Sequence, residues 1–279
     1  MGRELALRTS SGILLLLVVA LCSLMGGLIL LGFVMAVSVL GYMEYRRMVS
    51  RRGVPVEGWA GIAGVILVVA GMSSYIPYKW MPEFLLFLYI VFLFLFELRR
   101  RDIEGITKAL VGTGIGVIYT GWMLGHLARI EGIEGIGGKG VLWVVLVTSG
   151  CDTGCYIVGK AIGRRKIVPR ISQGKSLEGS LGGMAFGILI GIGFQRILLP
   201  SVQPYLSCIL GALISVLGQI GDLCESVAKR YSGVKDSGDL IPGHGGVLDR
   251  VDSLIFTSPA SYYLLLGWGI RRGWDWPGG

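Results

Sequence analysis

The sequence predicts an all-α, polytopic integral membrane protein, and three observations lead there. Of 279 residues, 53% are hydrophobic and 16% are charged, with a mean hydropathy of +0.68. Soluble proteins average about 25% charged residues, so too little polar surface exists to cover a water-soluble domain of this size. The apolar residues also come in long runs rather than at amphipathic spacing, and the basic residues cluster between those runs. The same composition excludes intrinsic disorder, a collagen-like chain and a disulfide-rich scaffold.

A membrane-crossing helix needs about 20 apolar residues to traverse about 30 Å of hydrocarbon. The first apolar region runs from Gly12 to Tyr42, too long for one span, and Gly26-Gly27 offers a break. Two short helices are expected there, at about 9–25 and 27–46, although a single helix through 12–42 stays open. Further spans are expected near 57–76, 82–98, 105–127, 140–159, 180–199, 204–227 and 252–270. That makes about nine spans. With the N-terminus cytoplasmic, 20 of the 26 Lys and Arg residues fall on the inner side, as the positive-inside rule requires. Tyr75, Tyr78, Trp80, Trp274 and Trp276 fall at the opposite ends, where an interfacial aromatic belt belongs.

No repeat or Pro/Ser-rich linker divides the chain, so 1–279 reads as a single membrane domain. Residues 1–140 carry no assignable motif, and 141–279 hold the candidate site. Glycines 112, 114, 116, 182, 183, 187, 191 and 193 lie within spans and permit close helix approach. The five cysteines, at 22, 151, 155, 208 and 224, have neither redox nor zinc-knuckle spacing and read as small apolar residues. The net charge of +8 reports topology first, and no nucleic-acid-binding motif accompanies it.

Ionisable side chains at membrane depth are costly and mark functional sites. In the first half, Glu44, Glu57, Glu83 and Glu97 are expected at helix ends within reach of solvent. The second half differs. Asp152 lies well inside an apolar run, Asp222 and Glu225 end the eighth span, and Asp249 and Asp252 begin the ninth. On a continuing helix Asp222, Glu225, Ser226 and Lys229 share one face.

Between the two acidic pairs runs a polar loop holding Lys235, Asp236, Asp239 and the stretch Pro242-Gly243-His244-Gly245-Gly246. The two helix ends that it joins can bring Asp222, Asp249 and Asp252 together. Clustered carboxylates repel one another unless a cation neutralises them, and an all-oxygen set favours Mg²⁺ over zinc. Taken singly, Asp249 or Asp252 also suits a helix N-terminus. Lys229, Arg230 and Arg250 also suit positive-inside residues, and His244 a structural turn.

The segment from Ser226 to Asp252, SVAKRYSGVKDSGDLIPGHGGVLDRVD, closely resembles the signature of the phosphatidate cytidylyltransferases, or CDP-diacylglycerol synthases. Gly221 to Glu225 resembles the usual lead-in and Ser253 the usual continuation, so about 33 residues are covered. Weaker resemblances lie at Asp152 to Tyr156, with Gly159-Lys160 and Gly163-Arg164, and at Ser172 to Gly179. Departures are Ala228 and Cys224 at positions where bulkier residues are usual, Gln173 in place of Pro, and Ser176 in place of Thr. None removes a charge or a hydroxyl.

The resemblance implies that CTP and phosphatidic acid give CDP-diacylglycerol and pyrophosphate at an inner membrane, with Mg²⁺ and a second, monovalent cation such as K⁺. It implies Asp222, Asp249 and Asp252 as metal ligands, a site open to cytoplasm and bilayer, and a homodimer. Lys229, Arg230, Lys235, Arg250 and His244 are then candidates for contact with phosphates. Gly243, Gly245 and Gly246 can offer backbone N–H groups, with Asp152, Lys175, Ser176, Glu178 and Ser226 completing the substrate-binding candidates. Competing classes are a CTP-dependent lipid kinase, a cytidylyltransferase for another lipid, and an ion-coupled transporter. The acidic motif of the alcohol phosphotransferases is absent from the sequence.

Overall fold

Gly26 ends the first helix. Its backbone lies at φ 62° and ψ −159°, a region that suits glycine and few other residues. The long apolar stretch therefore divides into α1 (Gly2–Met25) and α2 (Gly27–Ser50), the two-helix reading of 12–42. The computed structural model describes residues 2–78, 80–100, 102–241, 243 and 245–271, without the side chains of 2–11, 13 and 268–271. Trp274 and Trp276 of the expected belt lie outside the described residues.

The chain continues through α3 (Trp59–Gly71), α4 (Met81–Glu97) and α5 (Ile103–Val117). A π-helical turn at Ile118–Met123 leads into α6 (Leu124–Glu131), followed by α7 (Gly137–Ile162), α8 (Leu177–Leu198), α9 (Pro204–Ser232) and α10 (Leu248–Arg271). Among the described residues there is no strand, only isolated bridges at Lys166 with Ser176 and Ile241 with Gly245.

Helix occupies part of each of the nine regions expected to span, but among the described residues five stretches are long and apolar enough to cross a membrane. They are Gly27–Ser50, Ile103–Glu131, Gly137–Ile162, Leu177–Leu198 and Pro204–Ser232. Leu14–Met25 and Trp59–Gly71 are shorter apolar helices. Large apolar side chains point outward, such as Leu95, Leu189 and Ile197 at 61%, 67% and 70% exposure. Such a surface suits lipid and not water.

The helices gather into two compact units. The first takes the described residues of Met1–Arg129 and Ala228–Val251, the second those of Ile130–Val227 and Asp252–Trp274. In the first, tyrosines fill the gaps that glycines leave. The buried Tyr42 ring sits against Gly61 and Gly116, and its hydroxyl donates to the Glu57 carbonyl at 2.6 Å. Tyr45 likewise donates to the Gly112 carbonyl at 3.1 Å. Helix α5 starts where Asp102 accepts from the Gly105 N–H at 2.6 Å, an ordinary N-cap.

The second unit packs on small residues, as membrane helices do where close van der Waals approach replaces hydrophobic driving force. Trp143 is wholly buried and donates from its indole to the Gly191 carbonyl at 2.9 Å. Gly154 faces Phe186, Gly183 faces Cys151 and Cys155, and Gly187 faces Ser215. Gly114 and Gly193 have no neighbour within 4 Å of where a Cβ would sit, because they lie on outward faces. Close approach is therefore a property of most of the expected glycines and not of those two.

Candidate active site

Each unit carries its own group of charged residues. In the first, Lys229 near the end of α9 pairs with Asp249 in the first turn of α10, Nζ to Oδ1 at 2.8 Å. Both side chains are largely covered, at 12% and 6% exposure. The other oxygen of Asp249 accepts from the Ser237 N–H at 2.9 Å, the Ser237 hydroxyl at 2.9 Å and the Gly246 N–H at 2.8 Å. Asp249 stands ahead of the apolar stretch 252–270. Burial raises its pKa, but Lys229 and the donors at Gly246 and Ser237 outweigh burial and hold it below the ordinary carboxylate range.

The loop between those helices turns on Gly243 and Gly245, at φ 75° and 80°, where only glycine is relaxed. Gly243 is exposed and Gly246 buried. Arg230, Lys235 and Arg250 are exposed, and Arg230 donates to the Val234 carbonyl at 3.4 Å. His244 lies outside the described residues.

The second unit collects Asp152, Asp222 and Asp252. They are close enough for the charges of Asp222 and Asp252 to oppose that of Asp152. A close crossing of α9 and α10 helps to set this group. A Cβ on Gly221 would lie 2.6 Å from the Asp252 carbonyl oxygen, so glycine lets the two acids' helices meet there. Lys175 answers the charge, with Nζ 2.8 Å from Asp222 Oδ2 and 3.2 Å from the Gln219 carbonyl. Ser226 donates to Asp222 Oδ1 at 3.4 Å, Ser253 Oγ to Asp152 Oδ1 at 3.4 Å, and the Ser253 N–H to Asp252 Oδ1 at 2.7 Å.

Two further candidates in this unit hold the chain in place. Ser176 caps α8, accepting from the Gly179 N–H at 3.2 Å, and is buried. The Glu178 carboxylate accepts from the Arg164 N–H at 3.0 Å and the Arg165 N–H at 3.2 Å, fixing the basic loop ahead of α8. Replacing Ser176 by Ala is expected to cost about 1 kcal/mol of stability, the usual worth of an N-cap. Thermal unfolding of the purified variant checks this, and an unchanged midpoint rules out the cap as a support.

The donor set of the second unit, three carboxylates with one lysine, has the chemistry of a hard divalent cation site. Among the described residues, no three His, Cys, Asp or Glu side chains are arranged as a ligand set. Both oxygens of Asp249 are already engaged. Two of the acids expected within reach of solvent are buried. Glu44 is 4% exposed rather than solvated at a helix end, because Ser237, Val247 and Leu248 donate to it. Glu97 is also fully buried, paired with Arg100. No local signal marks Glu44, whose partners lie 193 to 204 residues away.

Apolar helices with acids and bases gathered near their ends define a helical membrane protein. A profile of the cytidylyltransferase family matches residues 6–267. The chain is 30% identical to a phosphatidate cytidylyltransferase of Staphylococcus epidermidis over 263 residues, 93% of this chain and 98% of that one. It is 29% identical to the protein of that name in Staphylococcus aureus over 261 residues, with the same coverage. It is 40% identical to the Bacillus subtilis phosphatidate cytidylyltransferase over 152 residues, 54% of this chain and 56% of that protein. The chain belongs to the cytidylyltransferase family, and it is an integral membrane protein.

Proposed function

We propose that this protein transfers the cytidylyl group of CTP to phosphatidate, giving CDP-diacylglycerol and pyrophosphate. The observation that carries this reading is the family match along 6–267, which contains the Lys175–Asp222 and Lys229–Asp249 pairs and the loop between α9 and α10. Both reactants are anions, so rate enhancement comes chiefly from positioning and charge neutralisation. A phosphate oxygen of the lipid attacks the α-phosphorus of CTP in line, and pyrophosphate leaves. That oxygen is ionised at neutral pH, so no general base is required.

In this reading Lys229, Arg230, Lys235, Arg250 and His244 contact phosphates, and Gly243, Gly245 and Gly246 offer backbone N–H groups. Lys175, with Ser176 and Glu178 shaping its loop, serves the nucleotide, and Asp152 and Ser226 flank it. Asp222, Asp252 and, as the resemblance implies, Asp249 would hold Mg²⁺, with K⁺ as a second ion. When bound, Mg²⁺ would neutralise triphosphate charge and favour the leaving group. Nine spans, a cytoplasmic N-terminus, an inner-membrane location with the site facing cytoplasm and bilayer, and a homodimer complete the proposal. The basic residues on one side support the orientation.

The test is turnover of CTP labelled at the α- or γ-phosphate with phosphatidate in detergent micelles, with and without Mg²⁺. Label from the α-position is expected in the lipid, and only with the metal present. Transfer of the γ-label instead makes the protein a lipid kinase and overturns the reading.

A further inference from the structure

Residue 44 lies in the N-terminal half, where the sequence carries no motif, yet its side chain reaches the loop that matters most. The Glu44 carboxylate, on α2, accepts from the Val247 N–H at 3.0 Å and the Leu248 N–H at 2.8 Å. It also accepts from the Ser237 hydroxyl at 3.1 Å. All these residues belong to the first unit.

The contacts answer a specific need. The first amides of a helix have no partner within it and need an acceptor. Helix α10 begins at Leu248, and Val247 before it has no side-chain oxygen with which to cap. Glu44 supplies that acceptor from a distant part of the chain, with a negative charge where the helix dipole favours one. The fit is close. A Cβ on Gly238 would lie 2.6 Å from Glu44 Oε1, and one on Gly246 would collide with the same carboxylate. Both arms of the loop, at 237–238 and 246–248, are thus tied to one buried side chain.

The tie extends to the Lys229–Asp249 pair. Ser237 Oγ is 3.1 Å from Glu44 Oε2 and 2.9 Å from Asp249 Oδ2. A hydroxyl donates one proton, so it serves one carboxylate at a time. The two acids thus share one donor.

We infer that Glu44 is a positioning residue, with Ser237 as its link: it fixes the loop arms at 237–238 and 246–248 so that the amides of Gly243, Gly245 and Gly246 and the Lys229–Asp249 pair meet the triphosphate in register. This rests on the cytidylyltransferase reading above. Glu44→Gln keeps the shape but turns a donor toward an amide that also donates, and Ser237→Ala removes the link alone.

Full-length protein in micelles is measured in two ways: hydrogen exchange of the 237–248 segment, and kcat and KM for CTP with phosphatidate in excess. Glu44→Gln is expected to speed exchange in that segment and not around the Ser176 cap. It is expected to lower kcat about tenfold, with KM for CTP changed less than about threefold, the pattern of misplacement rather than lost binding. Ser237→Ala should share the kcat loss in part, and the double variant should lose less than the product of the two singles. Faster exchange with normal kcat overturns the inference, as does unchanged exchange in a folded Glu44→Gln protein. Should that variant not fold, Ser237→Ala decides by the same two readings. An unmodified protein that makes no CDP-lipid overturns the cytidylyltransferase reading, and this inference with it, and is recognised because the parent itself fails.

Discussion

Asp222→Asn and Asp252→Asn are each expected to cut CDP-diacylglycerol formation by about 100-fold or more, on the order of 3 kcal/mol of transition-state stabilisation. The reason is local. Asp152, Asp222 and Asp252 gather in one unit with Lys175 paired to Asp222, and in the proposed reading a divalent cation would balance their charge. Asparagine keeps size and hydrogen bonding but removes the charge, so folding should be largely unharmed. Asp222→Asn frees Lys175 to move, whereas Asp252 keeps its backbone neighbour Ser253 in either form. Turnover measured beside thermal unfolding separates the two effects. Full activity in either variant removes that residue from the proposed metal site.

Asp249→Ala is expected to fail differently, by loss of fold as well as turnover. Its carboxylate is the partner of a nearly buried lysine and the acceptor for two backbone amides. Removing one partner of a buried pair leaves an uncompensated charge and costs about 3–5 kcal/mol. Asp249→Asn combined with Lys229→Met removes both charges and keeps an acceptor for the loop amides, so thermal stability should largely return while turnover should not. If Asp249→Ala unfolds at the parent's temperature, the pair does not brace the loop. If the paired variant turns over normally, neither residue takes part in the chemistry.

Much of the helical pattern was legible in the sequence because it rests on local composition. Runs of apolar residues and one glycine pair were enough to place helices in every expected region, including the break at Gly26. Helix ends were less legible. α9 continues to Ser232 and α3 stops at Gly71, since where a helix ends at a membrane depends on what its last residues contact. The acids at 152, 222, 249 and 252 stood out because charge is rare in this chain. What they touch did not, because Lys175 and Asp222 are separated by a whole helix and a loop, and nothing in either segment announces the other. Glu44 shows the limit most plainly. A glutamate near a helix end looks like a solvated residue until the loop that buries it, some 200 residues later, is in place.

Helix α9 also acts as a ruler. At 1.5 Å per residue its 29 residues extend about 43 Å, against about 30 Å for the hydrocarbon layer. Measured from Pro204, Asp222 stands about 27 Å along the helix and Lys229 about 38 Å. An upright α9 starting at one face therefore leaves the acid at the opposite boundary of the oil and carries the base out among the headgroups. Phosphate on a two-tailed lipid lies at that same height. On the proposed reading, a lipid substrate would reach the acids by lateral diffusion alone, its acyl chains never leaving the bilayer, while the water-soluble nucleotide would approach from above.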